Sequence, residues 1–149
     1  MKRKIILMRR AHTENHKITQ EGISKAIKRA TYLKEGILKE ERKVAIISST
    51  DNVAVETLNL FLNVFIELTS FELLAKHASE LLGSYVMERG YEPMMRKICP
   101  LLYPTTIAIS HATVLENATT FFEERGFKME ERSFALYPEP LDFIVFSNF

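Results

Sequence analysis

The stretch Ile5-Ile6-Leu7-Met8-Arg9-Arg10-Ala11-His12-Thr13-Glu14 joins a continuous apolar run to two guanidinium groups and an imidazole. A short apolar run without alternation reads as a strand buried on both faces of a parallel sheet. Open α/β sheets hold their ligands in the crevice beyond the carboxyl ends of such strands. Arg9, Arg10 and His12 therefore leave the strand where chemistry is expected, and adjacent arginines there point to an anion.

Two further runs repeat the pattern. Val44-Ala45-Ile46-Ile47 is short and β-branched and empties into Ser48-Ser49-Thr50-Asp51, while Thr105-Thr106-Ile107-Ala108-Ile109-Ser110 delivers His111. Between the first two runs, Thr19 is placed to cap a helix on which Ile23, Ala26, Ile27, Ala30, Leu33 and Ile37 form the apolar stripe. Asp51 or a neighbouring hydroxyl caps the next helix, which is apolar on more than one side through Val53, Ala54, Val55, Leu58, Phe61, Leu62 and Phe65. A weak alternation over Ile66 to Leu73 suggests a short strand. Helices follow from about Ser79 to a glycine stop at Gly90, from Glu92-Pro93 toward Cys99-Pro100, and from His111 to a second glycine stop at Gly126. The tail, Phe134 to Tyr137 and Phe143 to Phe146 around Pro138-Glu139-Pro140, reads as two strands joined by a proline-bearing turn at a sheet edge. Strands alternating with helices predict an α/β three-layer sandwich on a mostly parallel sheet.

Composition bounds the class. The 149 residues are expected to form one domain, 1–149, long enough to bury roughly 70% of the surface of the unfolded chain. Apolar residues at 46%, charged residues at 26% and a formal charge of +1 give no field that would recruit nucleic acid. The single Cys99 excludes an internal disulfide and a multi-cysteine metal site, which favours the cytoplasm. Lys2-Arg3-Lys4 is followed by too few apolar residues for a signal peptide, and no stretch approaches the roughly 20 apolar residues of a membrane span. No cofactor is expected. His12 and His16 stand at i and i+4, but the glutamate between them is misplaced for a zinc hydrolase and the segment precedes the helix cap, so no metal is expected either.

Taken together, these segments resemble the histidine phosphatase (phosphoglycerate mutase-like) superfamily, and most closely its small phosphohistidine phosphatase branch. The resemblance spans nearly the whole chain. Arg9-Arg10-Ala11-His12-Thr13-Glu14 matches the frame of the family's Arg-His-Gly strand end and its following Thr-Glu pair. Ile18-Thr19-Gln20-Glu21-Gly22 is similar to its Leu-Thr-x-x-Gly helix entry, and Ser49 to Thr57 to its Ser-Pro-x-x-Arg-Ala-x-x-Thr segment. Ile109-Ser110-His111 resembles its late Ser-His strand end. The resemblance implies the family's sandwich fold and a pocket in which a histidine takes the phosphoryl group while two arginines and a second histidine hold its oxygens.

Three positions depart from that pattern. Arg10 stands where the nucleophilic histidine belongs, Val53 where the second arginine belongs, and Ala11 in place of the glycine. A guanidinium with a pKa above about 12 has no lone pair to offer near neutral pH. The expectation is a catalytically silent protein that keeps a phosphate pocket of Arg9, Arg10 and His111. Its ligand is expected to be a phosphate-bearing small molecule or phosphoprotein, with no membrane and no nucleic acid as partner. Two other readings stand beside it: an active phosphatase using His12 or His111 in a rearranged site, and an interaction module whose surface spans Phe71 to Pro104. Glu72 and Glu80 lie where the family often has an acid/base, and neither is assigned that role. The plain alternatives are that Arg9 and Arg10 pair with Glu14 or other acids, and that His111 is satisfied by backbone groups.

Overall fold

The computed structural model describes residues 2–68 and 72–149, so Phe71 lies outside the described residues. The first run becomes β1 (Lys4–Arg9), the second β4 (Lys43–Ser48) and the third β6 (Thr105–Ser110). With β5 (Glu72–His77), β7 (Lys128–Arg132) and β8 (Phe143–Ser147) they build one six-stranded sheet in the order β5-β4-β6-β1-β8-β7. The strands β5, β4, β6 and β1 pair in parallel, and β8 and β7 join antiparallel beside β1. The sheet is mixed and mostly parallel, as the unalternating apolar runs predict.

Period-2 alternation sends the two faces of each strand to different cores. Ile6, Met8, Val44, Ile46, Ile107 and Ile109 pack under α1 (Gln20–Glu35) and α2 (Asn52–Leu68), whose Ala26, Ala30, Leu33, Leu58, Phe61 and Phe65 are fully enclosed. Ile5, Leu7, Ile47, Ala108, Ile144 and Phe146 face the opposite layer. That layer consists of α3 (Gly83–Arg89), α4 (Glu92–Lys97) and α5 (Ala112–Glu124). Its centre is Phe122, stacked on Phe146 with ring centroids 4.4 Å apart. No described helix is long and apolar enough to cross a membrane.

Helix ends follow local chemistry. Thr19 Oγ1 accepts from the Gly22 amide at 2.9 Å, and Asp51 Oδ2 accepts from the Ala54 amide at 3.2 Å, so both expected caps form. Gly90 ends α3 at φ 81°, a conformation that side chains other than glycine rarely adopt. The stripe of α1 is shorter than the spacing implies: the helix stops at Glu35, before Ile37, and Ile27 is exposed.

Gly22 answers to a close approach. A Cβ there would lie 2.8 Å from the His12 carbonyl oxygen and 3.1 Å from Ile18 Cγ2. Helix propensity alone predicts that Gly22→Ala stabilises by about 1 kcal/mol. The backbone carbonyl cannot yield as a side chain can, so the expected outcome is instead a loss of about 1–3 kcal/mol in chemical denaturation.

The structure corrects three expectations. The strand sought over Ile66 to Leu73 begins only at Glu72, and Ile66 belongs to α2. The helix expected from Ser79 is a single 3-10 turn, Ser79–Leu81, before α3. Phe134 to Tyr137 is not a strand: the edge strand is Lys128–Arg132, and Leu136 and Tyr137 are exposed in the turn that follows. β7 alternates exposed and half-buried residues and buries only part of Met129, so its charges hide a strand whose solvated edge favours them.

Candidate functional site

At the carboxyl ends of β1, β4 and β6 the three strand exits converge as expected. Strand order makes β1 and β6 neighbours and β6 and β4 neighbours, so residues 9–11, 48–51 and 111 share one rim. The Arg10 amide donates to the Ser110 carbonyl at 3.0 Å and the Ser49 amide to the Ile109 carbonyl at 2.9 Å, which extends the pairing past the strand ends and fixes the rim.

The two arginines take different partners at the end of β1. Arg9 follows Ile5 and Leu7; its Nη1 donates to the Pro138 carbonyl at 2.8 Å, and Glu116 on α5 is among the acids acting on it. Burial, then Arg10, lowers its pKa. Arg10 follows Ile6 and Met8 toward the first turn of α2, where its Nε lies 3.5 Å from Asp51 Oδ2. Both partners of that pair are about one-third exposed, so the pair is soft. The plain alternative paired the arginines with Glu14 or other acids; Asp51 does meet Arg10, while Glu14 stays exposed.

His111 sits half-buried immediately after β6, with Nε2 3.0 Å from Ser49 Oγ. Its partner is a side-chain hydroxyl from the neighbouring strand exit. Burial, then the positive charge of Arg10, lowers its pKa; Asp51 opposes this and Arg9 adds to it. Arg9, Arg10, Asp51 and His111 thus form one electrostatic unit. Because the folded His111 titrates below its ordinary value of 6.5, the unfolded chain binds more protons between the two values. Stability tied to this group is present above pH 6.5 and is lost as pH falls through the lower folded value. The urea midpoint should therefore fall on acidification, and His111→Gln should flatten that fall while the other histidines remain.

Val53, at the family's second-arginine position, is 3% exposed in the first turn of α2 and adds no polar group. Ala11 is buried, and its amide donates to Thr57 Oγ1 at 3.1 Å. His12 lies apart from Arg9 and Arg10: its exposed ring places Nδ1 3.2 Å from Thr19 Oγ1 at the start of α1. It lines a separate hollow of about 330 Å³ with Glu21, Lys25 and Glu139. His12 and His16 do not share a helix face. His12 precedes a hairpin of β2 (Thr13–Glu14) and β3 (Lys17–Ile18), and His16 sits in its two-residue turn, where Asn15 and His16 have φ of 50° and 62°. Glu72 begins β5 at the far end of the sheet and accepts from Tyr103 Oη at 3.1 Å. Glu80 lies 3.7 Å from Lys97.

Sequence reasoning missed His77 and the Pro138 carbonyl. His77 ends β5 with Nδ1 2.8 Å from Ser48 Oγ. Reading Glu72 to His77 as the strand would have shown it as a fourth polar strand exit. The carbonyl leaves no trace in sequence.

The sequence matches no protein-family model and no curated protein. Solved structures do match. A putative phosphohistidine phosphatase SixA from Nakamurella multipartitia is 18% identical with a TM-score of 0.56, covering 84% of this chain and 71% of that one. Phosphoglycerate mutase from Plasmodium falciparum is 24% identical with a TM-score of 0.56, covering 84% and 69%. A protein histidine phosphatase SixA complexed with tungstate is 18% identical with a TM-score of 0.50, covering 76% and 72%. The sheet order, the helical layers and these likenesses agree: the chain has the histidine phosphatase (phosphoglycerate mutase-like) fold.

Proposed function

We propose that this chain is a catalytically silent relative of the phosphatases whose fold it shares, and that it binds a phosphate group through Arg9, Arg10 and His111. The observation that carries the reading is that the neighbouring strands β1 and β6 deliver Arg9, Arg10 and His111 to one rim, with the Arg10 amide bonded at 3.0 Å to the carbonyl of Ser110, the residue before His111. A guanidinium can hold phosphoryl oxygens by charged, directional hydrogen bonds but cannot attack phosphorus. His111 Nε2 already faces the Ser49 hydroxyl, and His12 lines a separate hollow with Glu21 and Lys25, which speaks against either as a displaced nucleophile. One fold neighbour was solved with tungstate, a tetrahedral oxyanion; phosphate on a small molecule or phosphoprotein is the corresponding ligand here. The single Cys99 suits a reducing compartment, the cytoplasm.

Asp51 acts as a built-in competitor. Its carboxylate neutralises part of Arg10 in the empty pocket, and an incoming dianion must share that guanidinium with it. Asp51→Asn removes the charge while keeping a side-chain oxygen able to cap α2. Calorimetric titration with sulfate, whose charge is constant near neutral pH, should give saturable binding that tightens about tenfold in Asp51→Asn. No saturable binding in either protein, or no tightening in the variant, would overturn the reading.

The segment proposed as an interaction surface also carries one favourable observation: Leu101 and Leu102 are 82% and 67% exposed, and Met87 is 52% exposed. A partner bound there would be captured equally by the wild type and by Arg9→Ala with Arg10→Ala, and lost in Leu101→Asp with Leu102→Asp.

A further inference from the structure

Beside the edge strand β5, the end of that strand, the 3-10 turn and the last turn of α4 enclose a cleft of about 470 Å³. Lys76, Arg96 and Lys97 bring three permanent positive charges to it, against the single carboxylate of Glu80. Glu80 is engaged with Lys97 at 3.7 Å, whereas the side chains of Lys76 and Arg96 make neither ion pair nor hydrogen bond among the described residues. Cations at the end of a helix are ordinarily explained by its dipole, and that covers Arg96 and Lys97. It does not cover Lys76, which reaches the same hollow from a strand.

His77 supplies an independent observation. The Ser48 hydroxyl is fully buried and donates its one proton to the Ser49 carbonyl at 2.9 Å. Ser48 Oγ also lies 2.8 Å from His77 Nδ1, which ties the imidazole to this buried hydroxyl. His77 is exposed and lies among the residues that line the cleft, and its contact with a buried serine fixes the ring. Neighbouring serines on β4 and the loop after it thus orient two histidines, Ser49 holding His111 and Ser48 holding His77.

We infer that this cleft is a second anion site, separate from the Arg9–Arg10 rim, and that it takes a phosphoryl group between Lys76, Arg96 and His77. Lys76 and Arg96 neutralise the charge. The His77 imidazole, held at the Ser48 hydroxyl, adds a polar group to the lining beside them. The site does not depend on the function proposed for the rim, because none of its residues belongs to that pocket.

The test follows the ring protons of the four histidines by NMR during titration with inorganic phosphate, with signals assigned by single His→Gln variants. The His77 signals should move saturably in the wild type and equally in Arg9→Ala with Arg10→Ala. In Lys76→Ala with Arg96→Ala, two exposed positions whose truncation leaves the core intact, the response should weaken at least about tenfold. Movement of His111 alone, a His77 response reproduced by sodium chloride at equal ionic strength, or a response unchanged in that double variant would each overturn the inference. Failure of the rim would show separately, as absence of any His111 response.

Discussion

Arg10→His combined with Val53→Arg is expected to give a protein that carries an acid-labile, base-stable phosphoryl group after incubation with phosphoramidate, while the parent chain is expected to take none. The Arg10 backbone is already fixed by its bond to Ser110, and its side chain enters the rim shared with Asp51 and His111. An imidazole on the same Cβ supplies a lone pair near neutral pH, with Asp51 close by to hold its other nitrogen. In the transfer, that lone pair forms the N–P bond while the P–N bond of the donor breaks and ammonia leaves with the electron pair and a proton. An arginine at position 53 would offset charge on the transferring group, a contact whose loss typically costs a factor of roughly 100 or more. Val53 is 3% exposed, so a larger side chain there is expected to cost about 1–3 kcal/mol, read in the thermal melt. A folded double variant that takes no label would show that the motif frame has been misread.

Arg9→Ala with Arg10→Ala is expected to weaken sulfate or phosphate binding at the rim at least about 100-fold, since each guanidinium contributes charged hydrogen bonds roughly twice as strong as neutral ones. Both side chains are half-buried, and neither belongs to a closed hydrophobic cluster. Arg9 gives up one backbone bond, to Pro138, and Arg10 one soft ion pair. Stability should therefore change much less than affinity. Removing two positive charges also relieves His111, so its pKa should rise in the variant. Unchanged sulfate affinity, or an unmoved His111 titration, would place the anion elsewhere.

What could be read in the sequence follows from what burial writes into it. β1, β4 and β6 are enclosed on both faces, so their apolar runs are uninterrupted and their ends are unmistakable. Arg9, Arg10 and His111 stand at those ends, which is why their shared rim was legible before any coordinates. The strands at the sheet edges, β5 and β7, bury little and carry charge, so their boundaries were misplaced. His77 was overlooked with β5. Asp51 was visible only as a cap, because its pairing with Arg10 depends on which face of β1 each arginine follows past the last strand residue. Arg9 and Arg10 are adjacent in the motif, but their partners, the Pro138 carbonyl and Asp51, come from different segments that adjacency does not reveal.

The proposed cradle holds a phosphoryl group and never takes it. Phosphorus NMR of the purified protein with phosphoramidate measures both halves at once. The predicted spectrum shows a donor signal shifted and broadened in exchange with the protein, with neither a phosphohistidine resonance nor inorganic phosphate growing over time. A phosphohistidine resonance with steady release of phosphate, or a donor signal indistinguishable from that in buffer, would contradict it.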